Sequence, residues 1–147
     1  MELKQILKGV DLFEGISDKK LEKVVEICNE KRFRKDQIIA KEGEVGDELF
    51  IITEGFVEIL IGNRQRSDPR LVVSLGAGQI IGEMSLLDQG PRSASMRASS
   101  DVTVLQVISR QDLENLCQQD TDIGYNIMRN LAVDLSFKIR HRNLNER

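Results

Sequence analysis

Histidine and cysteine, the residues that most often serve metal sites and nucleophilic catalysis, are scarce in this chain. Among 147 residues there are one histidine, His141, and two cysteines, Cys28 and Cys117. A metal-dependent enzyme needs several such ligands, and a hydrolytic triad needs a histidine close to its nucleophile. His141 has no such partner nearby in the sequence and is expected on the surface of a terminal helix. The sequence therefore predicts no enzymatic activity, no metal site and no cofactor.

The two cysteines also lack the C-x-x-C spacing of a metal or redox pair, and both lie in helix-like surroundings. They are predicted to be buried free thiols, which suits a reducing compartment. No apolar run approaches the roughly 20 residues of a membrane span, and no apolar signal segment opens the chain. We therefore expect a soluble, cytoplasmic protein without a membrane partner.

The balance of charge gives little reason to expect a nucleic acid partner. Lys and Arg number 21, and Asp and Glu number 24, so the formal net charge at pH 7 is −3. Surfaces that bind nucleic acid or anionic lipid usually carry a clear positive excess. The composition thus argues against both kinds of partner.

The pattern changes along the chain from helical to strand-like and back, within a length that suits one domain over residues 1–147. Residues 1–30 have apolar side chains at helical spacing. Residues 31–109 consist of short β-rich runs between glycines, which indicates an antiparallel sandwich or barrel. Residues 110–147 return to helical spacing. Helices of this size around such strands indicate an α+β fold.

Seven strands are predicted in the middle segment, each bounded by turn residues. They are Lys31–Arg34, Gln37–Lys41, Leu49–Thr53, Gly55–Ile61, Leu71–Leu75, Ser95–Ala98 and Val102–Ser109. The polar stretch Asn63–Arg70 contains Asp68-Pro69 and is predicted to be an exposed hairpin loop.

Two helices are predicted at the C-terminal end. The short one runs from Arg110 to about Gln118, with Ser109 as N-cap, and the long one runs from about Thr121 or Asp122 toward Asn143. The long helix has a broad apolar stripe and two further apolar residues on another side. These are Ile123, Ile127, Met128, Leu131, Leu135 and Ile139, with Val133 and Phe137 apart. A helix that packs once needs an apolar face of roughly 100°. The surplus predicts a further contact with a second copy of the chain, with a bound ligand, or with both.

The stretch Gly78–Ser95 has a pattern suited to binding an anion. Gly82 has no Cβ and lets the backbone approach a ligand closely. Residues Glu83–Leu87 suit a short helix, whose first amides have no internal partner and favour an anion. Arg92 follows a Gly-Pro turn and can fold back to face those amides. Because Glu83 would repel a bare phosphate, its acceptor oxygens indicate a ligand that also has hydroxyls, such as a nucleotide ribose.

This stretch resembles the phosphate-binding cassette of cyclic nucleotide-binding domains. The shared pattern is Gly82-Glu83, a short helix, and Arg92-Ser93-Ala94 after a Gly-Pro turn, within residues 82–95. The core of the cassette shows no departure from the family pattern, and several residue types agree at once, which makes the match specific.

The resemblance extends beyond the cassette. Residues Glu42–Ile52 are similar to the first hairpin of the family, and the Leu12-Phe13-x-Gly-Ile-Ser-Asp entry resembles its lead-in. One departure is Asp36, where the family often has glycine, although aspartate also tolerates turn geometry. The resemblance implies a jelly-roll-like antiparallel β-roll, a double-stranded β-helix. It would be flanked by N-terminal helices and by a C-terminal helix pair that ends in a long helix.

The resemblance also implies a role for each cassette residue. Glu83 would accept a hydrogen bond from the ribose 2′-hydroxyl, and Arg92 would pair with the cyclic phosphate. Gly82 would allow close approach of the ligand. Met84 and Ser85 would offer backbone amides, and Ser93 and Ala94 would complete the phosphate cradle.

The function that the resemblance implies is that of a regulatory sensor domain, like those of the catabolite activator protein and of cAMP-dependent kinase regulatory subunits. A serine hydroxyl at Ser93 would suit a guanine in the syn conformation. However, the catabolite activator protein is similar at the same Arg-Ser-Ala and uses cAMP, so cAMP is expected rather than cGMP. Binding is expected to change the position of the C-terminal helix, or the geometry of a homodimer formed through it, for an unidentified downstream protein.

Two other hypotheses stay open. The chain can be the sensor half of a longer transcription regulator, whose helix-turn-helix would follow the long helix. Since the sequence stops at Arg147, DNA binding is not expected of this chain alone. The chain can also be a degenerate β-roll that serves as an interaction module and binds no nucleotide.

Overall fold

The computed structural model describes residues 2–63 and 66–145. In this part there are four α-helices, α1 Leu3–Lys8, α2 Asp18–Glu26, α3 Arg110–Gln119 and α4 Thr121–Asn145. Short 3-10 helices cover Asp11–Phe13 and Glu83–Leu86. The strands are β1 Asn29–Phe33, β2 Ile38–Ala40, β3 Glu48–Glu54, β4 Val57–Asn63, β5 Arg66–Leu75, β6 Ile80–Ile81, β7 Ser95–Ala98 and β8 Thr103–Ser109.

The chain divides into two compact units. Residues 27–113 form the roll unit, which contains the strands, and residues 1–26 together with 114–147 form the helical unit. Among the described helices, none is both long enough and apolar enough to cross a membrane.

The roll unit is built from two four-stranded antiparallel sheets. Their strand orders are β1-β8-β3-β6 and β2-β7-β4-β5. Strand β3 pairs with β8 from Glu48 opposite Ser109, and on its other side Phe50 pairs with Ile81 of β6. The predicted α+β fold, with antiparallel sheets, flanking helices and a long C-terminal helix, is confirmed.

A continuous apolar core joins the two sheets of the roll unit. Strand β7 shows the two-residue period of a half-buried strand, since Met96 and Ala98 are buried while their neighbours are not. Strand β3 is buried over four successive residues, from Leu49 to Ile52, so both of its faces are covered. The shared core consists of Ala40, Phe50, Ile52, Val57, Met96, Leu105 and Val107.

The predicted loop over Asn63–Arg70 is wrong over most of its length, because strand β5 already begins at Arg66. Residues 64 and 65 lie outside the described part of the chain. The Asp68-Pro69 pair suggested a turn, but β5 pairs only with β4 and lies at the edge of its sheet. Proline is tolerated in an edge strand because its missing N–H is not needed there.

Asp36 has φ of +70° and is the one non-glycine residue in the left-handed region among the described residues. This is the position at which the family often has glycine. Its amide donates to the Ala98 carbonyl at 2.7 Å, which ties the turn to β7. Aspartate is among the few residues that adopt this conformation at moderate cost, so the departure from glycine leaves the turn intact.

Neither cysteine forms a disulfide, as predicted, but both are only half-buried. Burial raises the pKa of the Cys28 thiol to about 11. The pKa of Cys117 is also raised, by burial and by the negative charge of Glu114. Both thiols are therefore protonated and unreactive near neutral pH.

The helical unit is centred on the first half of α4. The α-helices contribute fully buried residues, namely Leu7, Leu21, Val24, Ile123, Ile127 and Leu131, and Val10 and Phe13 are buried in and before the short 3-10 helix. The side-chain amide of Asn130 donates to the carbonyls of Leu12 at 2.9 Å and Glu14 at 2.8 Å. These bonds satisfy backbone acceptors at the Asp11–Phe13 turn and fasten that turn to α4.

A cluster of four charges joins α2 to the start of α4. Asp120 is buried, and its carboxylate accepts from Lys20 at 3.0 Å, from Lys23 at 3.2 Å and from the Ile123 amide at 3.3 Å. Lys20 also pairs with the exposed Asp122 at 2.9 Å. The hydrogen bond from Lys20 is the main reason that the pKa of Asp120 falls to about 2. Asp120 is thus both the N-cap of α4 and the anionic centre of the cluster.

We predict that Asp120→Asn lowers the free energy of unfolding at neutral pH and flattens its decline in acid. Asparagine keeps the capping acceptor, so the change removes the charge alone. A carboxyl whose pKa is lowered on folding stabilises the native state above its ordinary pKa, near 3.8, and loses that effect as the pH falls through about 2. Urea unfolding of both proteins between neutral pH and about pH 2 measures this.

Asp122→Asn is the matched control, since Asp122 is exposed and Lys20 is the one ion-pair partner that it has among the described residues, and its effect should be smaller. Equal acid sensitivity of Asp120→Asn and the wild type would contradict the assignment.

Candidate functional site

The site begins where β6 ends and the chain turns at Gly82, which has φ of +89° and ψ of 18°. A Cβ at this position would lie 2.9 Å from the Glu48 carbonyl oxygen and 3.2 Å from Nη1 of Arg92. Glycine is therefore required twice, for its left-handed conformation and for the space that a side chain would fill. The sequence predicted a close approach of ligand at Gly82. The structure adds that the protein's own arginine and carbonyl crowd this position.

Arg92 folds back toward Gly82, as its position after the Gly-Pro turn suggested. Its main chain is held on both sides by the loop before β3. The Arg92 amide donates to the Glu44 carbonyl at 2.8 Å, and the Gly43 amide donates to the Arg92 carbonyl at 2.8 Å. Val45 forms a bridge with Pro91 next to these bonds. The backbone of Arg92 is thus fixed to the loop before β3.

The guanidinium of Arg92 lies over the ring of Phe50, with Cζ 5.2 Å from the ring centroid. Among the described residues, no carboxylate forms an ion pair with it. Its N–H groups are therefore not engaged by an acidic side chain of the described chain. An arginine of this kind is suited to a bidentate contact with an anion.

Glu83 starts the short helix that follows Gly82. This helix is a 3-10 helix over Glu83–Leu86, one residue shorter than predicted, and Glu83 is half-buried at its first position. The Met84 carbonyl accepts from the amides of Leu87 at 3.0 Å and Asp88 at 3.2 Å, which closes the helix. The Met84 side chain is exposed. Ser85 lies within this helix.

Ser93 and Ala94 follow Arg92 in an irregular turn that leads into β7, with Ser93 exposed and Ala94 half-buried. The next residue, Ser95, uses its hydroxyl within the protein, because it accepts from the Glu42 amide at 2.9 Å. The structure thus brings Gly82 and Arg92 together at one site. The roles of the neighbouring cassette residues stay predictions, namely those of Met84, Ser85, Ser93 and Ala94.

Two features of the site were not predicted from the sequence. Phe50 was identified only as part of a hairpin, although the register of β3 explains its place, since Phe50 pairs with Ile81 immediately before Gly82. The hydrogen bonds that Arg92 accepts from Gly43 and donates to Glu44 join segments that lie far apart in sequence. The inward-facing position of an aromatic residue on β3 was the available signal for Phe50.

The second half of α4 forms an exposed strip in the helical unit. Leu131 is the last buried residue among the described side chains of the helix. Beyond it Val133 and Phe137, which form the strip, and Ile139, on another side of the helix, are each more than half exposed. A shallow groove on this strip is lined by Arg129, Ala132, Val133, Ser136, Phe137, Arg140 and His141. His141 is exposed, as predicted, and its ring stacks on Phe137 with centroids 3.7 Å apart. The surplus of apolar surface on this helix is thus found on the outside of the unit.

Comparison with known proteins agrees with this architecture. The chain matches the model of the cyclic nucleotide-binding domain over residues 30–120. A cyclic AMP receptor protein from Thermus thermophilus is 30% identical over 129 residues, which is 86% of this chain and 57% of that protein. A cyclic nucleotide-gated potassium channel from Rhizobium etli is 31% identical over 123 residues, which is 84% of this chain and 32% of the channel. The chain spans less than two thirds of either relative.

Solved structures share the fold as well. A cyclic nucleotide-binding domain from Methylobacillus flagellatus superposes with a TM-score of 0.81 at 28% identity, covering 99% of this chain and 82% of that one. The family match includes the first hairpin, Gly82, Glu83 and Arg92, and the structural match includes both units. The chain belongs to the cyclic nucleotide-binding domain family.

Proposed function

We propose that this domain is a non-enzymatic sensor that binds cAMP in preference to cGMP and transmits binding through α4. The observation that supports a phosphate ligand most strongly is the Arg92 guanidinium, which lies against Gly82 and over Phe50 without a carboxylate partner among the described residues. A planar guanidinium presents paired donors that match two oxygens of one phosphate.

The remaining cassette residues complete the proposed site. Glu83 accepts a hydrogen bond from the ribose 2′-hydroxyl, and Gly82 lets the sugar and phosphate approach the backbone. Met84 and Ser85 donate backbone amides, while Ser93 and Ala94 complete the cradle around the phosphate. A carboxylate and a guanidinium within one cassette suit a ligand that carries both hydroxyls and an anion.

The names of the relatives support both cyclic nucleotides as candidates. The Thermus protein is a cyclic AMP receptor. A cGMP-dependent protein kinase 2 from Mus musculus is 28% identical over 110 residues, which is 75% of this chain and 14% of that kinase. We favour cAMP because the receptor is matched over a larger share of both chains.

Signalling is proposed to follow from a population shift. A ligand that binds one arrangement of the domain better than another stabilises that arrangement by its difference in affinity. The exposed strip of α4 would pass this change to a downstream protein, without enzymatic chemistry in this domain. Cysteines outside any disulfide suit the reducing cytoplasm, which we propose as its location.

A second candidate is that the chain acts as the sensor half of a longer regulator. The relatives favour this, since the chain spans 57% of the Thermus receptor and 32% of the Rhizobium channel. In that case the output belongs to segments outside this sequence, and binding of nucleotide by the roll unit is the same.

We predict that Arg92→Ala weakens cAMP binding about ten- to over a hundredfold, since a hydrogen bond to a charged group contributes about 1.5–3 kcal/mol. Isothermal titration calorimetry measures the loss. Arg32→Ala is the matched control, because Arg32 is an exposed arginine of the same unit that pairs with Glu30. Equal affinity of Arg92→Ala and the wild type would show that the guanidinium does not hold the phosphate.

The role of Glu83 is tested with a ligand that lacks the group it is proposed to bind. Glu83→Ala should lower the affinity for cAMP about tenfold or more. The 2′-deoxy analogue of cAMP should bind the variant and the wild type almost equally, because the partner hydroxyl is already missing. If the variant loses the same factor with both ligands, Glu83 does not contact the 2′-hydroxyl.

The choice of nucleotide is tested by titration with cAMP, cGMP and, as a control, cyclic di-GMP. We expect the tightest binding with cAMP and none with cyclic di-GMP. Ser93→Ala should weaken cGMP more than cAMP, since only guanine offers the syn contact to this hydroxyl. The absence of heat with every nucleotide would instead support a β-roll that serves only as an interaction module.

We further propose that two copies of the chain pair through the exposed strip of α4. Phe137 and Val133 are 59% and 55% exposed, which leaves a row of apolar surface exposed on one helix. Phe137→Glu should raise the dimer dissociation constant roughly a hundredfold or more, because each copy then brings an unpaired charge into the interface. Sedimentation equilibrium measures this.

The control for pairing is Gln118→Glu, which adds the same charge at an exposed position of α3. It should leave the dissociation constant unchanged. A wild-type protein that stays monomeric with and without cAMP would contradict the proposal.

A further inference from the structure

Arg92 is held at both ends, and the two contacts differ in kind. Hydrogen bonds to Gly43 and Glu44 fix its main chain, each at 2.8 Å. At the far end, the guanidinium carbon lies 5.2 Å from the centroid of the Phe50 ring. Between these points the side chain has several rotatable bonds, so the main-chain contacts alone do not fix where the guanidinium points.

Phe50 is well suited to fix that position. It is only 3% exposed, and it belongs to the shared core of the roll unit. Its backbone is paired on both sides, with Val107 of β8 and with Ile81 of β6. A ring anchored in this way cannot move away from the guanidinium without disturbing the core.

An aromatic ring also leaves the arginine available to an anion, which a carboxylate would not. A cation within about 6 Å of a ring centroid is attracted by the negative face of the ring, and more strongly where water is excluded. The ring has no lone pairs, so the N–H donors stay available for phosphate oxygens, whereas a carboxylate would occupy them. The ring therefore orients the charge without competing with the ligand.

We infer that Phe50 is a positioning residue for Arg92, whose electron-rich ring holds the guanidinium in the orientation that binds the anion. The inference rests on the proposed binding of cyclic nucleotide by Arg92. It assigns to the Phe50 ring an electrostatic role in addition to its packing in the core. Phe33 provides the contrast, because it is a partly buried phenylalanine that packs against the same core.

The direct test replaces Phe50 with mono-, di- and trifluorinated phenylalanine. Fluorine withdraws negative charge from the face of the ring and changes the shape of the ring little. The series therefore distinguishes an electrostatic role of Phe50 from a packing role. The affinity for cAMP should fall step by step, by about three- to thirtyfold over the series. The same series at Phe33 should leave the affinity unchanged. A flat series at Phe50 would overturn the inference.

A measurement without nucleotide keeps this inference separate from the proposed function. In the wild type, the ring current of Phe50 should shift the side-chain NMR resonances of Arg92 upfield. Phe50→Leu should abolish the shift, Phe50→Tyr should restore it, and Phe33→Leu should preserve it. If Phe50→Leu leaves those resonances in place, the ring does not position Arg92. If they respond as expected but the wild type binds no cyclic nucleotide, the positioning stands and the proposed ligand is wrong.

Discussion

The structure of the site depends on one constraint, which is that a single guanidinium must lie close to a turn in the main chain. Nη1 of Arg92 lies 3.2 Å from where a Cβ of Gly82 would stand, and the Glu48 carbonyl is even closer to that point. Only glycine leaves this space and also adopts φ of +89° there. The turn at Gly82, the side chain of Arg92 and the segment that leads into β3 are therefore packed directly against one another.

The fold supplies this constraint through long-range pairing. Strand β3 carries Phe50 from the core, β6 brings Gly82 next to it, and the loop before β3 holds the main chain of Arg92. The proposed ligand site thus lies within the roll unit, on elements that its paired strands bring together. The helical unit carries a different feature, the exposed apolar strip of α4, which is suited to interaction with other chains.

Much of the fold and part of the candidate site were predictable from the sequence, because the turns, the strand pattern and the Gly82–Arg92 spacing are local features. Glycines between β-rich runs predicted the antiparallel sheets, and the spacing from Gly82 to Arg92 predicted the turn and the return of the arginine. The loop at Asn63–Arg70 was predicted wrongly because Pro69 suggests a turn, and only the sheet order reveals that β5 is an edge strand. Phe50 and the Gly43–Glu44 contacts were missed because they depend on which strands become neighbours, and local patterns do not encode this.

The account rests on the claim that the positive charge of Arg92 binds the cyclic phosphate. A crystal structure of the protein grown with cAMP tests it most directly. The account predicts phosphate oxygens at about 2.7–2.9 Å from the guanidinium nitrogens, with the guanidinium still over the ring of Phe50. A nucleotide bound elsewhere, or a phosphate held without Arg92, would contradict it.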